Sequence, residues 1–312
     1  MSSDVSLSGW RLLRAAAGHT DALRRHGTPA AFRLSDEGAA LGPATEGAAM
    51  AWDPGTGWAV GLPAGDARAP LLDLYLPVLN ASPGRPIAVG HLGQSLDGFI
   101  ATPSGDSQFV TGAENLVHLH RMRALCDAVV VGAGTVAADD PQLTTRLVDG
   151  PNPLRVVFDP ARRVSPDARL FSDGAAPTLY ACARSKVGPG EARVGDAEVV
   201  ALDDDRDGAM TQLLAVLHAR GCFRIFVEGG GVTVSAFLEA GLLDRLQIAI
   251  APLLIGDGRP AIRLAPQASL SDCRRPPYRV FRMGSDVLFD CDLRGTAVPT
   301  DAAPAPAVQR II

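Results

Sequence analysis

Short apolar runs alternate with amphipathic stretches through the middle of the chain. Three stretches repeat apolar residues at helical spacing and predict helices, at 113–125, 208–219 and 232–240. Six runs predict strands, at 87–92, 128–131, 154–158, 178–181, 198–201 and 223–227. Because continuously apolar strands are typical of a sheet covered on both faces, the pattern predicts an α/β fold with a mostly parallel sheet and helices on both faces.

The pattern changes after this alternating region. Two more strand-like runs, at 245–251 and 278–292, have no helix between them long enough for a parallel crossover, which predicts an antiparallel addition at the sheet edge. From residue 295 onward the sequence is rich in Ala and Pro, so the segment 295–312 is predicted to be a disordered tail.

The first 84 residues differ from the alternating region. They contain a possible helix at 10–17, Gly/Ala/Pro-rich sequence, and an apolar run at 71–79. A Ser-Pro-Gly-Arg-Pro segment at 82–86 is typical of a linker. The predicted organisation is therefore a small accessory domain at 1–84 followed by a main domain at 85–294.

Composition and charge exclude several classes of protein. The 312 residues are 47% hydrophobic and 20% charged, as in a globular protein. The net charge of −5, without a basic cluster, argues against a nucleic-acid partner. No apolar stretch reaches the roughly 20 residues that span a bilayer, and the first residues do not resemble a signal peptide, so we expect a cytoplasmic protein without membrane association.

The cysteines are odd in number and scattered, without a Cys-x-x-Cys pair. This favours buried free thiols over a disulfide framework or a zinc site. The five are Cys126, Cys182, Cys222, Cys273 and Cys291.

Three successive glycines, Gly229, Gly230 and Gly231, separate a predicted strand from a predicted helix. Glycines let a backbone approach a ligand closely, and the unpaired amides of a helix N-terminus favour a phosphate. The sequence therefore predicts a cradle for the pyrophosphate of a cofactor. The alternative is a tight connection that needs positive φ angles.

A second glycine cluster follows the strand at 128–131. Gly132, Gly134 and Ala137 match the dinucleotide fingerprint G-x-G-x-x-A, but Asp140-Pro141 interrupts the crossover helix that a Rossmann unit requires. We therefore predict a strand that ends in a polar, ligand-facing loop. Its polar residues include Thr135, Asp139, Asp140, Thr144 and Arg146.

Six motifs follow one another in a characteristic order. They are Ser-Leu-Asp-Gly at 95–98, Arg-Met-Arg-Ala at 121–124, Thr-Val-Ala-Ala-Asp-Asp-Pro at 135–141, Pro-Leu-Arg-Val-Val at 153–157, Val-Glu-Gly-Gly at 227–230 and Ala-Pro-Leu-Leu-Ile-Gly at 251–256. With these motifs, the segment 85–294 resembles the pyrimidine reductase domain of riboflavin biosynthesis, which has a dihydrofolate-reductase-like fold.

This resemblance implies NADPH-dependent reduction of a ribosylaminopyrimidine 5′-phosphate to the ribitylamino product, with no metal, in a homodimer. The implied substrate side comprises Ser107, Arg123, Leu143, Arg146 and Glu228. The implied cofactor side comprises Gly93, Phe109, Thr135, Asp139 and the stretch 230–236, including Gly230, Gly231, Val232 and Thr233. Two positions depart from the family pattern, since tryptophan is common where Phe109 stands and serine where Pro160 stands.

Many members of this family carry a zinc deaminase domain ahead of the reductase. That domain needs His-x-Glu and Pro-Cys-x-x-Cys elements, and neither occurs in this chain. The first 84 residues are therefore not that deaminase, and we expect a small accessory or dimer-supporting domain.

Charged residues complete the expected site. Arg162 and Arg163 follow a strand end, where they would suit the 2′-phosphate of NADPH; the alternative is two solvated charges. Asp139 is the candidate catalytic residue, orienting the carboxamide or relaying a proton to the sugar oxygen, unless it serves only the turn. Arg123 and Arg146 are candidates for the substrate phosphate, unless Arg123 pairs with a helix neighbour, Asp127.

His118 and His120 point about 200° apart on a helix, which argues against a shared metal. Three functions remain open. The first is the ribosylaminopyrimidine reductase, and the second is a reductase of the same fold that acts on a pterin or another secondary-metabolite heterocycle. The third is a non-catalytic ligand-binding or regulatory protein.

Overall fold

The computed structural model describes residues 3–35, 38–42 and 47–295. Of the predicted tail, 296–312 lies outside the described residues. The chain divides into two compact units, Met1–Pro86 and Ile87–Ile312, here called unit 1 and unit 2.

Unit 1 is an α+β unit whose sheet has the strand order β2-β1-β3-β4, with every pair antiparallel. Its elements are α1 (Ser3–His26), β1 (Ala30–Ser35), β2 (Gly38–Gly42), β3 (Met50–Asp53), β4 (Gly57–Val60) and α2 (Ala69–Leu79). The core is aromatic: Phe32 stacks on Trp58 at 5.4 Å, and Trp58 donates from Nε1 to Thr20 on α1 at 2.9 Å. The sequence pattern predicted only a shorter helix at 10–17 and an apolar run at 71–79.

Unit 2 contains a ten-stranded sheet with the order β10-β11-β9-β8-β7-β12-β5-β13-β16-β15. Its strands are β5 (Ile87–Ser95), β6 (Phe99–Ala101), β7 (Ala128–Gly132), β8 (Leu154–Phe158), β9 (Thr178–Ala183), β10 (Arg193–Val194), β11 (Ala197–Leu202), β12 (Arg224–Val227), β13 (Arg245–Ala251), β14 (Arg259–Pro260), β15 (Tyr278–Met283) and β16 (Asp286–Asp292). Its helices are α3 (Ala113–Leu125), α4 (Ala133–Asp139), α5 (Arg206–Ala219) and α6 (Gly231–Glu239).

The pairing confirms the predicted α/β class. Across the sheet, the strands in the order β11, β9, β8, β7, β12, β5 and β13 are all parallel. Beyond them, β16 pairs antiparallel with β13 and with β15, as the change of pattern predicted. The two short strands β6 and β14 form a separate antiparallel pair. Buried apolar residues of the sheet strands, α5 and α6 form a common core.

Two local expectations are wrong. Residues 133–139 form the short helix α4 rather than a loop, and α4 ends before Asp140-Pro141, because proline cannot continue a helix. All five cysteines are free, but Cys273 is exposed and Cys291 is only partly buried, so the expectation of buried thiols fails for these two. No helix among the described residues has both the length and the apolar character of a membrane span.

Candidate active site

The candidate site lies where parallel strands β7, β12, β5 and β13 end. Because these strands are parallel neighbours, their carboxyl ends meet at one edge of the sheet, the usual position of a ligand site in such sheets. The chain leaves β7 into α4 and β12 into the glycine turn and α6. The two glycine clusters of the sequence are therefore adjacent in space.

Thr135 on α4 joins these two clusters. The Gly230 amide donates to Thr135 Oγ1 at 2.8 Å. Gly229 has φ +98°, and a Cβ there would lie 2.6 Å from Thr135 Oγ1. On the opposite side, a Cβ on Gly132 would lie 2.0 Å from Thr233 Oγ1. Hydroxyl groups thus lock the first turns of α4 and α6 together, and both glycines allow close packing within the protein.

Gly231 is also needed for internal packing, because a Cβ there would lie 2.0 Å from the carbonyl oxygen of Ala261. Gly231 and Val232 begin α6, so no residue of that helix can accept a hydrogen bond from their amides. The side chain of Val232 is exposed. At Gly229 the turn is therefore the tight connection with a positive φ that was the alternative to a phosphate cradle. It still presents amide donors at the start of α6.

Phe109 borders a cleft, and Gly93 on β5 packs against Thr111, which lines that cleft. A Cβ on Gly93 would lie 2.7 Å from Thr111 Cγ2. Phe109 has φ +61° and is 85% exposed. It lines a cleft of about 310 Å³ together with Leu116, Leu253 and the buried Asp286. The aromatic ring at this position is thus available to a ligand.

Arg123 on α3 and Glu228 at the end of β12 form a buried ion pair. Arg123 Nη2 and Nε donate to the two Glu228 oxygens at 2.7 and 3.1 Å, and Nη1 donates to the Thr144 carbonyl at 3.2 Å. Asp127, the helix neighbour considered as a partner, pairs instead with Arg224 at 2.6 Å. Because Glu228 neutralises Arg123, this arginine does not offer a free positive charge to a phosphate.

Arg146 lies next to this pair and is exposed. Its Nη1 donates to Thr144 Oγ1 at 2.9 Å, and its backbone amide donates to Nδ1 of His120 at 2.8 Å. Burial, together with Arg123 and Arg146, lowers the pKa of His120 to about 4, so the imidazole is neutral near neutral pH. Leu143, in the same loop as Thr144 and Arg146, is buried with φ +54°.

Asp139 is the last residue of α4 and reaches solvent. Partial burial still raises its pKa above the ordinary aspartate value, and Arg259 on β14 acts in the opposite direction. The guanidinium of Arg259 packs against Gly105, where a Cβ would lie 2.6 Å from Nη2. Ser107, two residues further on, is partly buried. Arg259 is a residue that no sequence motif pointed to, because its partners lie on distant segments.

Arg162 and Arg163 at the end of β8 differ in their surroundings. Arg162 makes a two-point ion pair with Glu191 and donates to the Lys186 carbonyl at 2.8 Å. Arg163 is 74% exposed at its side chain, and its Nε lies 4.0 Å from the buried Asp159. Only Arg163 is therefore open to a ligand phosphate, and Arg162 is occupied by the protein.

His118 and His120 contact different elements, as their helical spacing predicted. His118 Nε2 lies 2.9 Å from Gln247 Oε1 on β13, and its ring is 5.1 Å from that of His91 on β5. This buried pair lies on the α3-covered face of the sheet, next to β5. His120, by contrast, contacts the Arg146 loop.

A model of the RibD C-terminal domain matches residues 89–288, which is more than half of the chain. The chain belongs to this family. The 2,5-diamino-6-ribosylamino-4(3H)-pyrimidinone 5′-phosphate reductase of Methanothermobacter thermautotrophicus is 34% identical over 218 residues, which cover 68% of this chain and 100% of that protein. RibD of Bacillus amyloliquefaciens is 33% identical over 230 residues, with 73% of this chain and 61% of that protein covered.

Solved structures agree with the family assignment. The deaminase/reductase of Thermotoga maritima superposes with a TM-score of 0.57 at 26% identity, with 73% of this chain and 62% of that chain covered. The chain thus spans about three fifths of that two-domain relative. Family membership confirms the resemblance and the dihydrofolate-reductase-like fold that the six motifs indicated.

Proposed function

We propose that this protein reduces a ribosylaminopyrimidine 5′-phosphate to the ribitylamino product with NADPH. The observation that carries the proposal is the convergence of Thr135, Asp139, Arg146 and the Arg123–Glu228 pair around the ends of β7 and β12. This arrangement occurs in a chain that covers the whole of a relative named as the corresponding phosphate reductase.

The described residues fit a phosphorylated dinucleotide. The amides of Gly231 and Val232 and the positive end of α6 suit a pyrophosphate, and the exposed Arg163 suits a 2′-phosphate. Phe109 borders the cleft where the nicotinamide side is expected, and Gly93 packs behind Thr111 of the same cleft. When bound, NADPH supplies the hydride that reduces the anomeric carbon of the opened sugar.

The chain's own residues divide the remaining work. Arg146 offers its charge to the substrate phosphate, while Arg123 holds the Glu228 carboxylate in one orientation toward the substrate. Ser107 and Leu143 complete the substrate side. Asp139 retains a proton to higher pH than an ordinary aspartate, which suits transfer of that proton to the sugar oxygen as the ring opens.

The cellular context follows from the same chemistry. Substrate and cofactor are phosphorylated metabolites that do not cross membranes unaided, so we place the reaction in the cytoplasm. We infer a homodimer, as the family resemblance implies. Residues 1–84 would then be an accessory or dimer-supporting domain. Light scattering on the purified protein tests the oligomeric state.

An NADPH oxidation assay tests the function. Three substrates are compared: a phosphorylated ribosylaminopyrimidine, its dephosphorylated form and a dihydropterin. We expect turnover with the phosphorylated pyrimidine alone. Turnover with the pterin alone would establish the second candidate function, and no turnover with any of them would favour a non-catalytic binding protein.

Cofactor binding has a separate test by calorimetric titration. Gly230→Val adds a branched side chain beside Thr135 and the first turn of α6, and we expect it to abolish NADPH binding. Arg163→Ala is expected to reduce the preference for NADPH over NADH, with Arg162→Ala as the matched control because Glu191 already occupies Arg162. Unchanged preference in Arg163→Ala would contradict the assignment.

A further inference from the structure

A third arginine, Arg169, lies beside the phosphate side of the candidate site and was not singled out by any motif. It begins a short 3₁₀ helix, Arg169–Phe171, and its side chain is 50% exposed. Its Nε lies 3.6 Å from Asp140 Oδ2, which is an ion pair beyond hydrogen-bond length. Within the described residues, the guanidinium makes no hydrogen bond.

The position of Arg169 is fixed by its backbone. The Arg169 amide donates to Asp140 Oδ1 at 2.8 Å, and Asp140 ends α4 in a left-handed conformation with φ +38°. The next two residues, Leu170 and Phe171, are fully buried. The guanidinium therefore projects from an anchored segment that is joined directly to the Asp-Asp-Pro turn of the site.

The charges around Arg146 do not balance. Glu228 fully pairs Arg123, Asp140 only partly offsets Arg169, and no carboxylate of the described residues forms an ion pair with Arg146. Burial lowers the pKa of Arg146 first, and the neighbouring Arg123 and Arg169 lower it further, against the opposing effect of Glu228. Neighbouring guanidinium groups disfavour each other's charged form, and an anion bound between them would relieve this repulsion.

We propose that Arg169 and Arg146 together bind the 5′-phosphate of the substrate. This inference rests on the proposed function and adds a residue to its site. A phosphate dianion matches two guanidinium charges, and each planar guanidinium can donate two parallel hydrogen bonds to phosphate oxygens. Asp140 would hold Arg169 in place and partly screen it until the phosphate arrives. The arrangement would make the site selective for phosphorylated over unphosphorylated sugars.

The test is calorimetric titration of the full chain with ribose 5-phosphate and with ribose. We expect Arg169→Ala to weaken ribose 5-phosphate binding roughly tenfold, as for loss of a charge-assisted hydrogen bond, without changing the response to ribose. Arg169→Lys should retain part of the affinity. Arg193→Ala removes an exposed arginine on the edge strand β10 and is the matched control, expected to bind as the wild type does.

A double-mutant cycle sharpens the test. If Arg146 and Arg169 hold one phosphate, the loss in Arg146→Ala/Arg169→Ala will differ from the product of the single losses. Wild-type affinity for ribose 5-phosphate in Arg169→Ala, or equal losses for ribose and ribose 5-phosphate, would overturn the proposal. So would a wild-type protein that does not bind ribose 5-phosphate.

Circular dichroism spectra of each variant exclude misfolding, and Arg169→Gln provides a second neutral variant of similar length. The experiments also distinguish failure of the proposed function from failure of this phosphate site. A protein that binds ribose 5-phosphate through Arg169 yet oxidises no NADPH with the phosphorylated pyrimidine would retain this site and lose the reductase assignment.

Discussion

Among the described residues, the non-glycine residues with clearly positive φ are concentrated near the candidate site. Phe109, Asp140 and Leu143 all belong to its segments, and Arg162 follows β8. A side chain in this conformation carries a cost, which surrounding contacts must offset. Asp140 has such contacts through the Arg169 amide, and Arg162 through Glu191. The loop conformations that present the site are therefore maintained by specific polar partners.

Asp139 is expected to be essential for turnover. Asp139→Asn keeps the shape of the side chain but removes the proton that the raised pKa of Asp139 retains. We expect kcat to fall by a factor on the order of 10² to 10⁴, the range for loss of a general acid or base, with an unchanged circular dichroism spectrum. A folded variant with wild-type turnover would leave Asp139 with a role in the turn only.

Glu228 is expected to matter for stability as well as for substrate. Glu228→Gln leaves the buried Arg123 charge without its partner, so we expect the free energy of unfolding to fall by about 3 kcal/mol or more. Glu198→Gln, which breaks the exposed pair with Arg220, is the control and should cost under about 1 kcal/mol. Urea unfolding followed by circular dichroism measures both, and equal losses would contradict this view of the buried pair.

The sequence indicates which charged residues belong near the site, but it does not predict their ion-pair partners. Arg162 and Arg163 are adjacent and identical in the sequence, yet Glu191, 29 residues from Arg162, occupies only one of them. Arg123 finds Glu228 across 105 residues rather than the nearby Asp127. Such pairings depend on how the sheet brings strand ends together, which no local pattern contains.

Elements with strong periodicity are the ones that the sequence predicts well. The predicted helix at 113–125 and strands at 154–158 and 245–251 have the observed bounds. The sheet of unit 1 was missed, because its strands are short and rich in Ala and Gly, such as β2 with the sequence GAALG. The helix α4 was missed because seven residues before a proline give too few turns to show a period.

The glycine turn before α6 is expected to tolerate no added side chain at its last position. Gly231→Ala would place a Cβ 2.0 Å from the Ala261 carbonyl oxygen, so the backbone must shift, and we expect a loss of about 1 to 3 kcal/mol. Gly134→Ala on α4 is the matched control, since nothing lies within 4 Å of its Cβ position. That variant should be neutral or slightly stabilised. The urea midpoints of the two variants, compared with that of the wild type, test this difference in stability.

The buried histidines between α3 and the sheet predict a stability that falls in acid. Burial lowers the pKa of His118 to about 4, with Arg121 adding to this and Gln247 and Asp290 opposing it. The pKa of His91 lies well below its ordinary value because of burial and the nearby His118. Unfolded imidazoles take up protons below about pH 6.5, whereas the folded ones stay neutral, so protonation favours unfolding as the pH falls.

The expected size is about 1.4 kcal/mol per pH unit for His118 between pH 6.5 and 4. Urea unfolding at several pH values, followed by circular dichroism, measures the slope for the wild type and for His118→Gln. The variant should show a smaller slope. An identical slope in both proteins would show that other groups control the acid response.

The two units of the chain are expected to be separable. The Methanothermobacter relative is covered completely by 68% of this chain. Unit 2 begins at Ile87, the first residue of β5. We therefore expect a chain that starts at Ser82 to fold and to keep turnover within a few-fold of the full chain. Loss of folding or of turnover in that shorter chain would show that unit 1 is required.

The two units also differ in their tryptophan content. All three tryptophans, Trp10, Trp52 and Trp58, belong to unit 1, and unit 2 contains none. Intrinsic tryptophan fluorescence therefore reports on unit 1 and not on the unit that carries the candidate site, whereas circular dichroism reports on both. Phe109→Trp would introduce the residue that the family resemblance led us to expect, at an exposed position beside the cleft. It would give unit 2 a single tryptophan, at a position where a bound ligand would change the tryptophan fluorescence.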